Sequence, residues 1–573
     1  ALVALTLVPM MCSKIFARGI VRGRVAHAVD RFFQWLSKMY ELSLRRVLAA
    51  PLIVVIAGVL AVGLAFVLFK DLPSEYTPTE DRQRVFIRVT APEGSSLQYL
   101  DRYLRQVEEV VMEEVERGNV RRFNSRAPSF GGSDMSSGFV SLNLSEWDER
   151  TESAQEIAAR LRQRLSNLVG VRINVGMPGG LGIRGSGIPV QVVLGGSDYE
   201  ELAKWRDIIL AKAAENPGLT NLDSDFYARK PQIRVMVDRN RAGDLGVSLT
   251  AVGRTLETMM GSRIVTTYLD RGEQYNVILQ AKDTDRATTS DLTNIYVRSA
   301  TTRQLVPLSN LVTIEETAGP TELKRFDRLR SITLSANLTP GYSLGEALNY
   351  MENLIRTELP AHAVINYDGE SREFKRSGNA LYVTFMLALL IVFLVLAAQF
   401  ESFRHPLIIM MTVPLAVAGA LLGLWLTDRS INVYSQIGCI MLIGLAAKNG
   451  ILIVEFANQL RDRGVEFYES IVESSAIRLR PVLMTSLCTV FGAVPLLLAS
   501  GAGAESRSTI GSVVVYGVTF SCLLTLYVVP VIYAFVARNT QSPEYISHMI
   551  DKLRAAAGAK PLAAPSKQAD EPG

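Results

Sequence analysis

The chain is poor in the residues that most often announce chemistry. It has four cysteines, Cys12, Cys439, Cys488 and Cys522, all in or beside apolar stretches, and none between residues 70 and 375. That distribution offers neither a disulfide framework nor a cysteine-ligated metal site. The four histidines are scattered, without an HExxH or a paired arrangement, which removes histidine-based zinc chemistry. A glycine-rich run, GMPGGLGIRGSG at 176–187, lacks the spacing of a phosphate loop and reads as a flexible connection. The formal net charge is only +4, and no finger, basic recognition helix or aromatic–basic strip accompanies it, so nucleic acid is not the partner. With no nucleophile–base pair and no metal constellation, an enzyme is the class least supported.

What the chain does have is long apolar runs. The run at 49–69 holds about twenty apolar residues in succession, which matches the thickness of hydrocarbon. Runs at 381–400, 407–426, 433–457, 481–500 and 510–536 make six complete candidate spans. The opening ALVALTLVPMMCSKIF (1–16) places its positive charges after the apolar residues, the reverse of a signal peptide. It reads as the end of a further membrane helix that begins upstream. Segment 17–47 interleaves Arg18, Arg22, Arg24, Arg31, Lys38, Arg45 and Arg46 with Phe32, Phe33, Trp35, Leu36 and Tyr40. That mixture suits an amphipathic helix in the cytoplasmic headgroup layer, with a solvated linker helix as the alternative.

Charge orients the spans. Segment 17–47, Arg404 with His405, and Arg461, Arg463, Arg478 and Arg480 fall on one side by parity, and an excess of lysine and arginine marks the cytoplasm. Residues 70–375, between the spans 48–69 and 376–536, are then an extracytoplasmic insert, and the tail 537–573 is cytoplasmic. Within the insert, period-two segments (84–92, 138–145, 171–176, 189–194, 232–237, 274–280, 294–299, 304–307, 331–337, 362–367) alternate with helical ones (97–118, 152–167, 200–214, 248–259, 343–357). Repeated strand–helix–strand units predict two or three small two-layer α+β modules.

Lys448 stands inside an apolar span, in GLAAKNGILIVEF (444–456). A lysine at membrane depth is costly and faces a protein interior with an acidic or polar partner. Glu455 is two turns on along the same face, and Asn449, Gln436 and Ser435 add polarity. A functional cation and a purely structural ion pair both fit. In the next span Pro481 suits a first helical turn. Thr485 and Thr489 share a face there, with Arg478 two turns before Thr485. The hydroxyls either position a proton or bond back to their own helix. The centres of all six complete spans lack aspartate and glutamate, so the acid that proton coupling requires is not in this sequence. Gly419 and Gly423, spaced by four, permit close helix contact.

Several long runs carry a resemblance. GLAAKNGILIVEFANQL (444–460), LRPVLMTSL (479–487), PLLLASGAGAESRSTIG (495–511), VPVIYAFV (529–536), PQIRVMVDRNRAGDLGVS (231–248) and SGFVSLNLSEWDER (137–150) are similar to the C-terminal half of resistance–nodulation–division efflux transporters, of the multidrug (hydrophobe/amphiphile) branch. The likeness covers nearly the whole chain. It implies a polytopic α-helical membrane protein of the Gram-negative inner membrane, with a periplasmic porter and docking insert of ferredoxin-like α+β subdomains. Residues 80–175 would combine with 319–372, residues 189–231 with 290–318, and docking would fall at about 232–289.

Further implications are a homotrimer, a periplasmic adaptor, an outer-membrane channel, small amphiphilic substrates, and drive by the proton gradient without a cofactor. The family's relay lysine falls on Lys448, its threonine on Thr485 and its accessory arginine on Arg478. The acidic pair lies in the N-terminal half, which this sequence lacks. Substrate-pocket phenylalanines fall on Phe139, Phe130 and Phe123, although 122–135 is shorter and less aromatic than the family pattern, and the dividing loop falls near Ser129–Gly132. As an alternating strand residue, Phe139 equally suits a module core. Export of lipids or metal ions on the same scaffold, and a non-transporting half-length remnant or split-gene assembly subunit, are the competing functions.

Overall fold

A computed structural model describes residues 6–16, 24–129, 135–182, 187–339 and 341–538, together with Leu553. The chain opens with helices α1 (Leu7–Phe16), α2 (Arg24–Ala49) and α3 (Pro51–Asp71). Pro51 occupies the first turn of α3, where a missing N–H costs nothing. Helix α2 buries Tyr40 and Leu44 and leaves Phe32, Trp35, Met39 and Leu42 exposed along one stripe.

Module 1 follows, as β1 (Arg84–Thr90), α4 (Leu97–Glu116), β2 (Val120–Arg126), β3 (Ser137–Leu144), α5 (Ala154–Leu165) and β4 (Arg172–Gly176). Its antiparallel sheet has the order β2-β3-β1-β4. Alternation sends Val85, Ile87 and Val89 of β1 into a core with Leu100, Leu104 and Val107 of α4 and Ile157 and Leu161 of α5. The other face of the sheet is left to Phe86, Arg88 and Phe139.

Module 2 starts with β5 (Val190–Gly196), α6 (Tyr199–Ala213) and β6 (Leu219–Ser224). An insertion interrupts it: β7 (Lys230–Val237), α7 (Arg239–Asp244), α8 (Leu249–Gly261), β8 (Arg263–Asp270), β9 (Glu273–Leu279), β10 (Tyr296–Arg298), β11 (Leu305–Pro307) and β12 (Val312–Gly319). The module resumes with β13 (Arg325–Phe326), β14 (Leu329–Leu338), α9 (Leu344–Glu358) and β15 (Val364–Tyr367). Strand β14 pairs with β5 and β6, and β15 pairs with β5, so module 2 repeats the β-α-β-β-α-β plan of module 1. The insertion closes on itself through the β7–β12 ladder and a core of its own around Val252, Leu308 and Leu311.

This register corrects the segment pairing that the resemblance implied. Residues 325–367 complete the sheet of 190–224 rather than that of 84–176, and 296–319 belong to the insertion. The physical reason is that the insertion splits the hairpin between β6 and β14. Strands that pair in space are then remote in sequence, and no periodicity records their partnership.

The membrane part is completed by α10 (Gly369–Phe400), α11 (Arg404–Met410), α12 (Thr412–Leu426), α13 (Val433–Asp462), α14 (Phe467–Leu497) and α15 (Ala504–Val536). Among the described residues six stretches are long and apolar enough to cross a membrane, with α11 and α12 forming one of them. The small residues have a packing reason: a Cβ on Gly423 would stand 2.5 Å from that of Tyr516 on α15. One expectation is overturned. Helix α14 begins at Phe467, so Pro481 lies inside it and not in its first turn. The helix runs on because its first turns bury Ser470, Ser474 and Ser475 against the bundle, and Pro481 itself deprives just one carbonyl, that of Ile477, of its helical donor.

Candidate functional site

Lys448 sits at the middle of α13. Its neighbours Ala446, Ala447, Asn449 and Gly450 are buried, whereas Lys448 shares an exposed face with Met441 and Gly444. Among the described residues no hydrogen bond or ion pair reaches its ammonium group. Glu455 is not its partner; that carboxylate accepts from Gln459 at 3.2 Å. Beside the lysine, Asn449 is 3% exposed and donates to the Ser486 hydroxyl of α14 at 3.2 Å. This bond fixes α13 against α14 with Lys448 and Thr485 each one residue before the joined pair. The Thr485 hydroxyl donates back to the Val482 carbonyl at 3.2 Å, and that of Thr489 to the Thr485 carbonyl at 2.9 Å. Arg478 lies 4.4 Å over the Phe456 ring, its Nε buried without a partner. The two helices are thus drawn together at 449/486 and 456/478, and among the described residues no carboxylate stands against Lys448.

Phe139 is half-buried on the sheet face opposite the helices of module 1. Its ring lies 5.9 Å from that of Phe86, 26° from parallel. Both line a cavity of about 330 Å³ with Ser141, Pro178, Gln191 and Glu370, where modules 1 and 2 meet the start of α10. Phe123, in contrast, packs against the module core. Phe130 and most of the loop read at Ser129–Gly132 lie outside the described residues.

A larger cleft of about 750 Å³ separates the two modules. Arg88, Arg162 and Arg172 line one wall, and Asp223, Asp225 and Asp368 the other. Burial lowers the Arg88 and Arg162 guanidinium pKa, though both stay cationic. Arg172 pairs with Asp223, and Lys324 reaches Asp225 at 3.5 Å. No sequence pattern signals this cleft, because its two walls come from separate modules. Equally hidden is a cluster around Tyr533, whose hydroxyl accepts from Arg461 at 3.0 Å and donates to Asn458 at 2.6 Å. His405, 1% exposed, lies against the Tyr533 ring. A histidine at the edge of an apolar run was the available signal.

Apolar helices in this number, a large folded insert after the first of them, and a lysine at membrane depth define a polytopic transporter. Residues 1–537 match the AcrB/AcrD/AcrF family. The chain belongs to that family, within the resistance–nodulation–division multidrug efflux transporters, which are secondary active transporters and not enzymes. It is 34% identical to an uncharacterized transporter of Haemophilus influenzae, over 93% of this chain and 52% of that protein. It is 33% identical to the multidrug/solvent efflux pump membrane transporter MepB of Pseudomonas putida, over 95% of this chain and 53% of the relative. Identity to the toluene efflux pump membrane transporter TtgB, also of Pseudomonas putida, is 32% at the same coverage. The chain spans about half the length of the curated relatives it matches. It is a multi-pass protein of the Gram-negative inner membrane, with its insert in the periplasm.

Proposed function

We propose that this chain supplies the C-terminal half of a proton-driven pump that exports amphiphilic or hydrophobic compounds. The observation that carries the proposal is Lys448, a cation on an uncovered face of a membrane-spanning helix. A charge there is stable only when another element covers it with a carboxylate or a comparable acceptor. The relatives named for multidrug, solvent and toluene efflux are about twice as long, and their remaining half is the source of that cover. Protonation of the covering carboxylate would break its pair with Lys448, and deprotonation would restore it. Because the Asn449–Ser486 bond joins α13 to α14, both helices would respond together. The Phe86–Phe139 pair would receive flat apolar groups, and the mixed charges of the inter-module cleft would receive the polar end of an amphiphile. Assembly follows the family plan: a homotrimer with a periplasmic adaptor and an outer-membrane channel.

The test is proton movement in everted inner-membrane vesicles on addition of a fluorescent amphiphilic dye, with the pump expressed from its natural locus. Dye-dependent proton flux is expected, and its absence would leave the non-transporting assembly subunit as the better account. In liposomes holding this chain alone no flux is expected; flux there would contradict the half-pump reading.

Two substitutions probe the parts. Thr485→Ala is expected to lower proton-coupled efflux a few-fold, about the worth of one hydrogen bond. Unchanged coupling would leave Thr485 with only its bond to Val482. Phe139→Ala is expected to change the apparent affinity for aromatic substrates by about threefold to tenfold, the value of an aromatic pair, while aliphatic substrates change less. A uniform loss with reduced protein in the membrane would make Phe139 a folding residue instead.

A further inference from the structure

Residues 72–77 leave α3 and run between the membrane helices and module 2, hydrogen-bonded on both sides. Towards the membrane, Ile431 N donates to the Pro73 carbonyl at 2.8 Å. Glu75 N donates to the Ile431 carbonyl at 3.1 Å, and Val433 N to the Tyr76 carbonyl at 3.1 Å. The Ser430 hydroxyl donates to the Glu75 carboxylate, and Ser74 and Ile431 form a parallel β-bridge. These partners lead directly into α13, whose N-cap is Asn432. Towards the periplasm, Gly345 N, at the start of α9, donates to the Ser74 carbonyl at 3.0 Å. The Tyr76 ring packs against the core of module 2. A Cβ on Gly345 would stand only 3.3 Å from that of Ser74, so the two backbones touch.

We propose that residues 73–76 form a strut that transmits movement of α13 to module 2, with Ser430, Ile431 and Val433 as the positioning residues that join the lysine-bearing helix to it. This rests on the antiport reading above. Three backbone bonds and a side-chain bond hold one short segment to residues 430–433, which lead into α13 and include its first residue, so sliding would break several at once, whereas joint movement breaks none. Helix α10 is a second, covalent route: it runs straight out of module 2, and although Val383, Leu387, Leu390 and Leu394 are exposed, its Leu396 and Phe400 share a buried cluster with Ala447, Ile453 and Val454 of α13. The strut is a separate link, made at the opposite end of α13 beside its N-cap.

The decisive variant is Val433→Pro, assayed in the same everted vesicles with dye efflux and proton flux measured together. Val433 is the first residue of α13, where proline is tolerated. Asn432 before it already has the extended conformation (φ −143°, ψ 178°) that a following proline requires. The change removes the N–H that donates to Tyr76. Expected is a fall of about fivefold in dye exported per proton, with proton flux itself within about twofold of native. Native efflux, or an equal fall in both fluxes, would overturn the strut. If this variant fails to accumulate, Ser430→Ala decides: dye exported per proton should drop about twofold, and an unchanged ratio overturns the proposal.

A second arm tests the rigid half of the joint. The double variant Ser74→Cys with Gly345→Cys has Cβ atoms close enough for a disulfide, and neither single variant should form one. Oxidation is expected to cross-link the pair and leave efflux intact. A block of efflux that a reductant reverses would show that the two sites slide, and would overturn the proposal. Absence of dye-dependent proton flux in the native protein would instead sink the antiport reading itself, a different outcome from all of these.

Discussion

Lys448→Ala is expected to abolish proton-driven efflux while the protein reaches the membrane in native amounts. The two halves of that expectation have separate causes. Folding of the described helices does not use the ammonium group: it is exposed, and no described residue bonds it. A lysine at the centre of a membrane helix costs about 2.5–3.5 kcal/mol on insertion scales, so alanine relieves a cost instead of opening a cavity. Transport, in contrast, would lose the cation proposed to face the proton-carrying carboxylate, and efflux should fall about a hundredfold or more, the range for removal of a group that manages a proton. Dye efflux from intact cells, normalised to membrane protein by immunoblot, measures both. Native efflux would remove Lys448 from the relay. A parallel loss of protein would assign it to assembly with the covering helices.

The parts of this protein that were legible in the sequence are those governed by local composition. Span length against hydrocarbon thickness marked six apolar helices, and the arginine bias around 17–47 and 461–480 oriented them. Lys448 stood out because its surroundings are apolar. What failed was anything that depended on long-range partnership. Period-two patterns found β5 and β14, but the insertion at 230–319 hid that they pair. Phe123 and Phe139 lie in adjacent strands of one sheet, yet one packs on the core and the other lines a cavity, because register and bulge decide the face. Pro481 looked like a helix start because the residues before it are polar; packing of Ser470, Ser474 and Ser475 carried the helix back to Phe467. The strut at 73–76 is held mainly by backbone hydrogen bonds, and these leave no side-chain signature.

The run SEWDER, one of the segments that carried the family resemblance, has a structural role that sets the second large effect. Arg150→Leu is expected to destabilise module 1 by about 3–5 kcal/mol, the cost of leaving one partner of a buried pair alone. Arg150 donates to Asp81 at 2.5 Å, and its other nitrogens reach the carbonyls of Ser145 at 3.1 Å and Glu152 at 2.6 Å. Asp81 also accepts from Ala154 N at 2.8 Å and Gln83 N at 3.0 Å, so the pair ties the start of β1 to the first turn of α5. Burial alone would raise the Asp81 pKa, but the guanidinium and the two backbone donors outweigh it and hold the carboxyl below its ordinary value. A depressed carboxyl contributes stability that is present above about pH 4 and is lost as pH falls through the folded value. In the variant the same carboxyl is buried without a cation, and acidification neutralises it. The stability gap between native and variant protein should therefore be widest at neutral pH and narrow below about pH 4. Protease resistance of the periplasmic insert, measured on the whole protein in its membrane across that range, reads the gap directly. A gap that does not change with pH would show that Arg150 acts through packing, and a gap under about 1 kcal/mol would show that the two backbone donors hold Asp81 without it.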